Sequence, residues 1–215
     1  MPLPIDREPY NINYEMANTL TAGIGILFGI VALPVLMFLA VQHGGVKGVV
    51  GCSIFAFGFL MMFSASTVYH ATSNPQAKAI LHVYDHIAIF LMIGGTYAPL
   101  VLEYLSMNAA IWFLSIQWGL ILVGIVLKIF FTGRYNGVST AVYLILGWMV
   151  VFVGNSIYQA ASATVMWLVV VGGLSYTVGV GFYVWKSLPG NHAIWHVFIL
   201  GGAITHYVAI VALYV

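Results

Sequence analysis

Long apolar stretches alternate with short polar breaks along almost the whole chain, and their length predicts helices that cross a membrane. About 20 apolar residues in a helix span a bilayer. Seven stretches reach that length, with predicted bounds 17–42, 45–70, 78–103, 107–131, 137–157, 160–186 and 191–214. Turns such as Pro189-Gly190-Asn191 separate most of them, whereas only polar residues between 155 and 159 divide the fifth stretch from the sixth.

This pattern predicts an all-α membrane protein built as a seven-transmembrane helix bundle. We divide the chain into a short N-terminal segment, 1–16, and a transmembrane domain, 17–215. Composition agrees, since 62% of the residues are hydrophobic and 5% are charged, whereas soluble domains carry about 25% charged residues. The net charge of +1 and the lack of a basic cluster argue against nucleic acid as a partner. Cys52 is the only cysteine, which excludes an internal disulfide and a cysteine-based metal site.

The basic residues are divided unequally between the two ends of such a bundle. With seven spans, the end that carries the N-terminus holds Arg7, Lys78, Lys128, Arg134 and Lys186, and the other end holds Lys47. Lysine and arginine are enriched on the cytoplasmic side of membrane proteins. We therefore predict a cytoplasmic N-terminus and an external C-terminus.

Ionisable side chains inside the predicted spans are the first candidates for function, because a membrane makes them costly. Asp85 is the clearest of them, an acid inside the third predicted helix. Its structural alternative is a carboxylate paired with a neighbouring histidine or lysine. Polar residues also gather in three stretches, 66–70, 82–86 and 192–196, which all lie at the predicted cytoplasmic ends of their helices. We therefore expect a polar site at this end of the bundle.

The spacing of the histidines predicts a metal site. His192 and His196 are four residues apart, so they share one helical face, and such a pair can bind one metal ion. A third histidine at similar depth on another helix would complete a three-nitrogen zinc site. The fourth position would stay free for water, which is the arrangement of a catalytic zinc.

His82 and His86 form a rival pair with the same spacing. On an ideal helix Asp85 points about 60° from His82 and about 100° from His86. Either the pair or the aspartate is therefore expected to face the site. We favour Asp85, because an acid that faces lipid costs more than a histidine that faces a neighbouring helix. His206 lies roughly 15 Å deeper than His196 along the helix axis, so we expect it to be a packing or hydrogen-bonding residue.

Three motifs make the chain similar to the hemolysin III family. They are Ser66 with His70, the run Tyr84-Asp85-His86 that leads to Gly94-Gly95-Thr96-Tyr97-Ala98-Pro99, and His192 with His196. They follow the family's order, and the resemblance covers nearly the whole chain. This family belongs with the progestin and adipoQ receptors, which include the adiponectin receptors, and the short N-terminus resembles its bacterial branch. The wider superfamily also includes alkaline ceramidases.

The resemblance implies a zinc ion near the cytoplasmic face, with His70, His192 and His196 as its ligands. It implies that Asp85 and Ser66 hold the water at the zinc. It also implies an integral protein of the inner (plasma) membrane that acts in membrane homeostasis. Hydrolysis of lipid amides, with a membrane lipid as substrate or ligand, is the activity that the ceramidase relationship implies.

Two functions from different classes therefore stay open. In a zinc-dependent hydrolase, Asp85 would be the general base and Ser66 would orient water or substrate. In a non-catalytic receptor or regulator of membrane lipid state, the same zinc would hold helices together. A channel is less favoured, because no ladder of ionisable groups crosses the predicted membrane region. A retinal protein is also disfavoured, because the last predicted helix contains no lysine.

Overall fold

The computed structural model describes residues 12–215, which are helical apart from short connections. Arg7 and residues 1–11 of the predicted N-terminal segment lie outside the described residues. The helices are α1 (Ile12–Leu39), α2 (Gly45–Ala71), α3 (Pro75–Tyr104), α4 (Met107–Phe131), α5 (Asn136–Gly147), α6 (Gly154–Ala160), α7 (Ala163–Val184) and α8 (Asn191–Val211). The predicted all-α membrane bundle is confirmed in this part of the chain.

Helices α1 and α2 form an antiparallel hairpin. A π-helical turn at Ala40–Gly44 joins them, and Gly45 follows with a φ of 55°, a backbone conformation that glycine adopts without steric cost. Gly25 and Gly29 of α1 pack directly against the rings of Phe63 and Phe59 of α2. The small residues let the two helices approach closely, as in other membrane bundles.

The described chain supplies seven membrane spans. Five helical runs are long and apolar enough to cross a bilayer, and the bent pair Asn136–Phe152 and Gly154–Ala160 makes a sixth if it counts as one span. The first of the five runs, Ile12–Ala71, is the hairpin of α1 and α2, so it crosses twice. The count of seven agrees with the prediction from segment lengths.

The fifth span is broken, and the expectation of one continuous helix over 137–157 was wrong. Helix α5 ends at Gly147, a short 3-10 segment follows over Met149–Phe152, and α6 continues after a bend of 53°. Tyr97 of α3 bridges the break: its hydroxyl donates to the carbonyl of Gly147 at 2.6 Å and accepts from the amide of Val150 at 2.8 Å. Apolar periodicity could not reveal the break, because the residues around it are as apolar as a straight helix requires.

Glycines also set the distance between α2 and α3, the best-packed pair in the bundle. A Cβ on Gly51 would lie 2.7 Å from the Cα of Pro99, and one on Gly95 would lie 2.9 Å from the carbonyl oxygen of Ile54. A side chain at either position would therefore push the backbones apart. This close contact fixes the relative positions of the polar residues at the ends of α2 and α3.

The outward surface is apolar. Large side chains such as Val46, Phe152 and Trp112 are 82%, 83% and 71% exposed, and similar exposed residues occur on every long helix. A continuous surface of this kind is stable against lipid rather than water. The chain is therefore a multi-pass membrane protein, as its composition predicts.

The helix order places the start of α1, the end of α2 and the start of α3 at one end of the bundle. The end of α4, the end of α7 and the start of α8 lie there as well. Lys78, Lys128, Arg134 and Lys186 belong to this end, and Lys47 belongs to the other. Which end faces the cytoplasm stays a prediction from this asymmetry.

Candidate metal centre

Three histidines converge between the end of α2 and the start of α8. His70 lies in the last turn of α2, and His192 and His196 lie one turn apart at the start of α8. Their ligand nitrogens all lie within 4.8 Å of one another, and the Nε2 atoms of His70 and His196 are 3.3 Å apart. In residues 12–215, these three form the group of candidate ligands that could hold a metal ion.

The start of α8 is held in place by its connection to α7. Gly190 takes a φ of 70° just before the helix, and Asn191 then donates from its side-chain amide to the carbonyls of Phe182 and Tyr183, at 3.2 and 3.1 Å. These bonds tie the start of α8 to carbonyls in the last turn of α7. They also fix the direction in which His192 enters the site.

Glu15 of α1 orients His70. Its carboxylate oxygen lies 2.8 Å from Nδ1 of His70 and 3.1 Å from Nζ of Lys78. Because a carboxylate only accepts, Nδ1 of His70 carries the proton and Nε2 presents a lone pair. The sequence reasoning missed Glu15 because it placed this acid before the first span, whereas α1 is already helical at Ile12.

The donor set fits a metal ion. Two nitrogens bound tetrahedrally at 2.0–2.1 Å lie about 3.4 Å apart, close to the separation of His70 and His196. Nε2 of His192 is buried and has no hydrogen-bond partner, which is unusual for a buried polar atom. The contact of His70 with Glu15 also matches the carboxylate–histidine–metal arrangement that fixes a ligand's tautomer.

Asp85 and Ser66 lie beside this cluster but outside the group of candidate ligands. Asp85 is 6% exposed and Ser66 is 4% exposed, and both line the same cavity as His192 and His196. The Ser66 hydroxyl lies beside the Asp85 carboxyl group, yet it makes no hydrogen bond of regular geometry. In residues 12–215 the ion pairs are those of Glu15 with His70 and Lys78, and none of them includes Asp85.

The rival pair on α3 is divided between two environments. The His82 ring stacks on Tyr69, with ring centroids 5.3 Å apart, and His82 is not part of the cavity lining. His86 lines the cavity together with Asp85, and its Nδ1 lies 2.9 Å from the carbonyl oxygen of His82. Asp85 and His86 thus line the cavity whereas His82 does not, and neither histidine of the pair belongs to the group of candidate metal ligands in the described part of the chain.

A mainly apolar cavity extends from the histidines into the bundle between α2, α3, α5, α7 and α8. Its volume is about 130 Å³, roughly ten times the 10–15 Å³ that a single water molecule needs. Its lining includes Met92, Ile93, Trp148 and Ile199 along its length. His206 also lines it, and the predicted hydrogen-bonding role of this residue is confirmed by the contact of its Nε2 with the carbonyl oxygen of Val169 at 3.1 Å.

Comparison with known proteins decides the family. A family model described as Haemolysin-III related matches residues 10–207 of the chain. The chain belongs to the hemolysin III family. The predicted resemblance is thus confirmed, and all of the motif residues that carry it lie within the matched range.

Relatives in the hemolysin III family and beyond it cover most of the chain. A protein named Hemolysin-3 homolog from Bacillus subtilis (strain 168) is 40% identical over 194 residues, which are 90% of this chain and 91% of that protein. Hemolysin-3 of Bacillus cereus is 36% identical over 192 residues, 89% of this chain and 88% of that protein. The human Monocyte to macrophage differentiation factor is 30% identical over 168 residues, 73% of this chain and 67% of that protein.

Proposed function

We propose that this hemolysin III protein binds zinc through His70, His192 and His196 and hydrolyses lipid amides within the membrane. The observation that carries the proposal is the cluster of three imidazoles, two of which, those of His192 and His196, line an apolar cavity together with Asp85. The ceramidase-like activity that the family resemblance implies would use this site. The setting would be lipid homeostasis in the inner (plasma) membrane.

Zinc suits the donor set better than the other common metal ions. Three imidazole nitrogens are acceptable to zinc, copper, iron and nickel, whereas magnesium and calcium prefer oxygen ligands. Three protein ligands with one free position are typical of catalytic zinc. Asp85 lies close by but outside the ligand group, so the fourth position is not taken by a protein side chain in the described residues.

A bound zinc ion would polarise the substrate carbonyl and lower the pKa of a water molecule next to it. Asp85 would accept the proton of the attacking water and deliver it to the nitrogen of the leaving amine. Ser66 would orient the water or the carbonyl group through its hydroxyl. Glu15 would keep His70 in the tautomer that presents Nε2 to the site.

The cavity supports a lipid as the substrate. Its lining is mainly apolar and includes Ser66, Asp85 and His86 together with His192 and His196. An acyl chain would occupy the apolar length of the cavity, and the amide bond would lie beside Asp85. The outward helix faces are exposed to lipid, so the substrate would enter sideways from the bilayer.

A receptor or regulator of membrane lipid state is the second candidate function. It is favoured by the fact that the three histidines belong to two different helices. His70 comes from α2, whereas His192 and His196 come from α8, more than 100 residues later in the chain. A metal ion would therefore hold together two helices that are far apart in sequence, even if no reaction took place. Lipid binding in the cavity would then change helix packing around a structural zinc.

Metal analysis of purified protein is the first test. We expect one zinc ion per wild-type chain and a loss of zinc in His196→Ala, because two remaining imidazoles bind it poorly. His43→Ala is the matched control, since His43 is an exposed histidine at the opposite end of the bundle. Wild-type protein that carries no metal after purification without chelators would overturn the zinc site.

Asp85→Asn then separates the two candidate functions. In the zinc-loaded state it should keep its metal and lose ceramide hydrolysis by at least a hundredfold, because an amide cannot accept the proton. Hydrolysis is measured as release of fatty acid from ceramide in detergent micelles. If zinc-loaded wild-type protein leaves ceramide, other lipid amides and lipid esters intact, the hydrolase is wrong and the receptor is favoured.

A further inference from the structure

The cavity contains a second polar position, far from the candidate metal centre. His206 of α8 and Tyr176 of α7 both line it, and their ring centroids are 5.4 Å apart. His206 is 7% exposed. Neither Nδ1 of His206 nor the hydroxyl of Tyr176 has a hydrogen-bond partner in the described part of the protein. Buried polar atoms are seldom left unpaired, so each such atom calls for a ligand or a water molecule.

Two glycines make room for this pair of rings. Gly172 of α7 lies directly under the His206 ring, and Gly202 of α8 lies directly under the Tyr176 ring. A Cβ at either glycine would collide with the ring opposite. At each glycine the absence of a side chain leaves room for a polar ring of the other helix, as Gly25 and Gly29 leave room for phenylalanine rings.

The hydrogen-bonding capacity of the pair can be assigned. Nε2 of His206 lies 3.1 Å from the carbonyl oxygen of Val169, and a carbonyl can only accept, so Nε2 carries the proton. Nδ1 of the neutral ring is then an acceptor, and the Tyr176 hydroxyl can both donate and accept. A ligand hydroxyl is complementary to both, because it can donate to His206 while it accepts from Tyr176.

We propose that this position recognises a hydroxyl group within the acyl chain of the bound lipid, so that the protein prefers mid-chain hydroxylated lipids. The proposal rests on the proposed lipid-binding role of the cavity and names a substrate class for it. Both atoms are shielded from water in the structure, so binding of the hydroxyl requires the Tyr176 side chain to turn towards the cavity.

The depth of the pair sets the position of that hydroxyl. His206 follows His196 by ten residues on one helix, which is roughly 15 Å along the axis. A fully extended peptide advances about 3.3–3.6 Å per residue, and each residue contains three backbone bonds. An extended acyl chain therefore advances about 1.2 Å per bond. A hydroxyl about 12 bonds from the carbonyl carbon at the histidines would therefore reach His206 and Tyr176.

The test compares three fatty acids on purified, full-length protein in detergent: octadecanoate, 2-hydroxyoctadecanoate and 12-hydroxyoctadecanoate. Affinity is measured by displacement of a fluorescent fatty acid. The 12-hydroxy acid should bind about threefold to tenfold more tightly than the other two, which is the contribution of one net hydrogen bond. Tyr176→Phe, which removes only the hydroxyl, should abolish this preference, so that the variant binds all three acids with equal affinity.

Tyr207→Phe is the matched control. It removes a tyrosine hydroxyl from α8 that donates to the carbonyl of Ala32 at 2.9 Å and does not line the cavity. The preference should survive in this variant, and binding of octadecanoate shows that each variant is folded.

Two outcomes would overturn the proposal and differ in what they say about the cavity. Equal binding of all three acids by the wild type, or a preference that persists in Tyr176→Phe, would mean that the two polar groups bind water only, while the lipid site stands. Failure of every fatty acid to displace the probe would instead overturn the lipid-binding cavity, and the hydroxyl position with it.

Discussion

Glu15 links the first helix to the candidate metal centre through two contacts, one to His70 and one to Lys78. The carboxylate holds the imidazole in one tautomer, and Lys78 holds the carboxylate in place. The sequence singled out His192, His196 and Asp85 as polar residues in apolar runs, and the family resemblance added His70 and Ser66. Glu15 could not be singled out in this way, since only the folded chain brings the first turns of α1 next to the end of α2.

For this residue we predict that the substitution Glu15→Gln weakens zinc binding about 10- to 100-fold. A neutral amide is a poorer hydrogen-bond acceptor than a carboxylate, and Lys78 would lose its ionic partner. Zinc affinity is measured by competition with a chromophoric chelator. Glu103→Gln is the control, because it removes an exposed acid at the other end of the bundle. Equal zinc affinity in the wild type and Glu15→Gln would show that Glu15 does not orient His70.

Among the helices, the broken span of α5 and α6 departs most from what periodicity predicts. The break leaves backbone groups without helical partners, and Tyr97 satisfies two of them, on Gly147 and Val150. Trp148 at the break also donates from its indole nitrogen to the Thr177 hydroxyl at 3.1 Å. Since Gly147 and Trp148 line the cavity, the break shapes the space that a lipid would occupy.

We predict that Tyr97→Phe lowers the free energy of unfolding by about 1–3 kcal/mol, because it leaves a buried amide and a buried carbonyl unpaired. Tyr84→Phe removes the same group from the same helix at a position that is 55% exposed, and it should change stability by less than about 0.5 kcal/mol. Unfolding is followed by circular dichroism during titration of mixed micelles with SDS. Equal stability of the two variants would mean that the hydrogen bonds of Tyr97 with Gly147 and Val150 contribute little to the free energy of unfolding.

For the whole molecule, the question left to experiment is the direction of insertion. The described basic residues favour one end of the bundle, the end that also holds the three histidines. One of them, Lys128, is only 3% exposed, and its ammonium group has no hydrogen-bond partner among the described residues. The excess of basic residues at the histidine end therefore includes one lysine that is not exposed to water.

We predict that the histidine end faces the cytoplasm. Cys52, the one cysteine, is buried, so Cys52→Ala provides a background for single cysteines. In that background, Gln42→Cys should react with a membrane-impermeant maleimide in intact cells, and Ser73→Cys should react only after the cells are opened. Both positions are exposed, and they lie at opposite ends of the bundle. Labelling of Ser73→Cys in intact cells would reverse the orientation.

The sequence by itself predicted a seven-span membrane bundle and singled out Asp85, His192 and His196, and its resemblance to the hemolysin III family added His70 and Ser66 as candidate site residues. It could do so because apolar length and isolated polar residues are local properties of a chain in lipid. Only the tertiary structure decided the contact of Glu15 with His70, the break that Tyr97 bridges, and the cavity that joins the histidines to His206 and Tyr176. Each of these depends on side chains from helices that are far apart in sequence, and their meeting is set by how closely glycines let the helices pack.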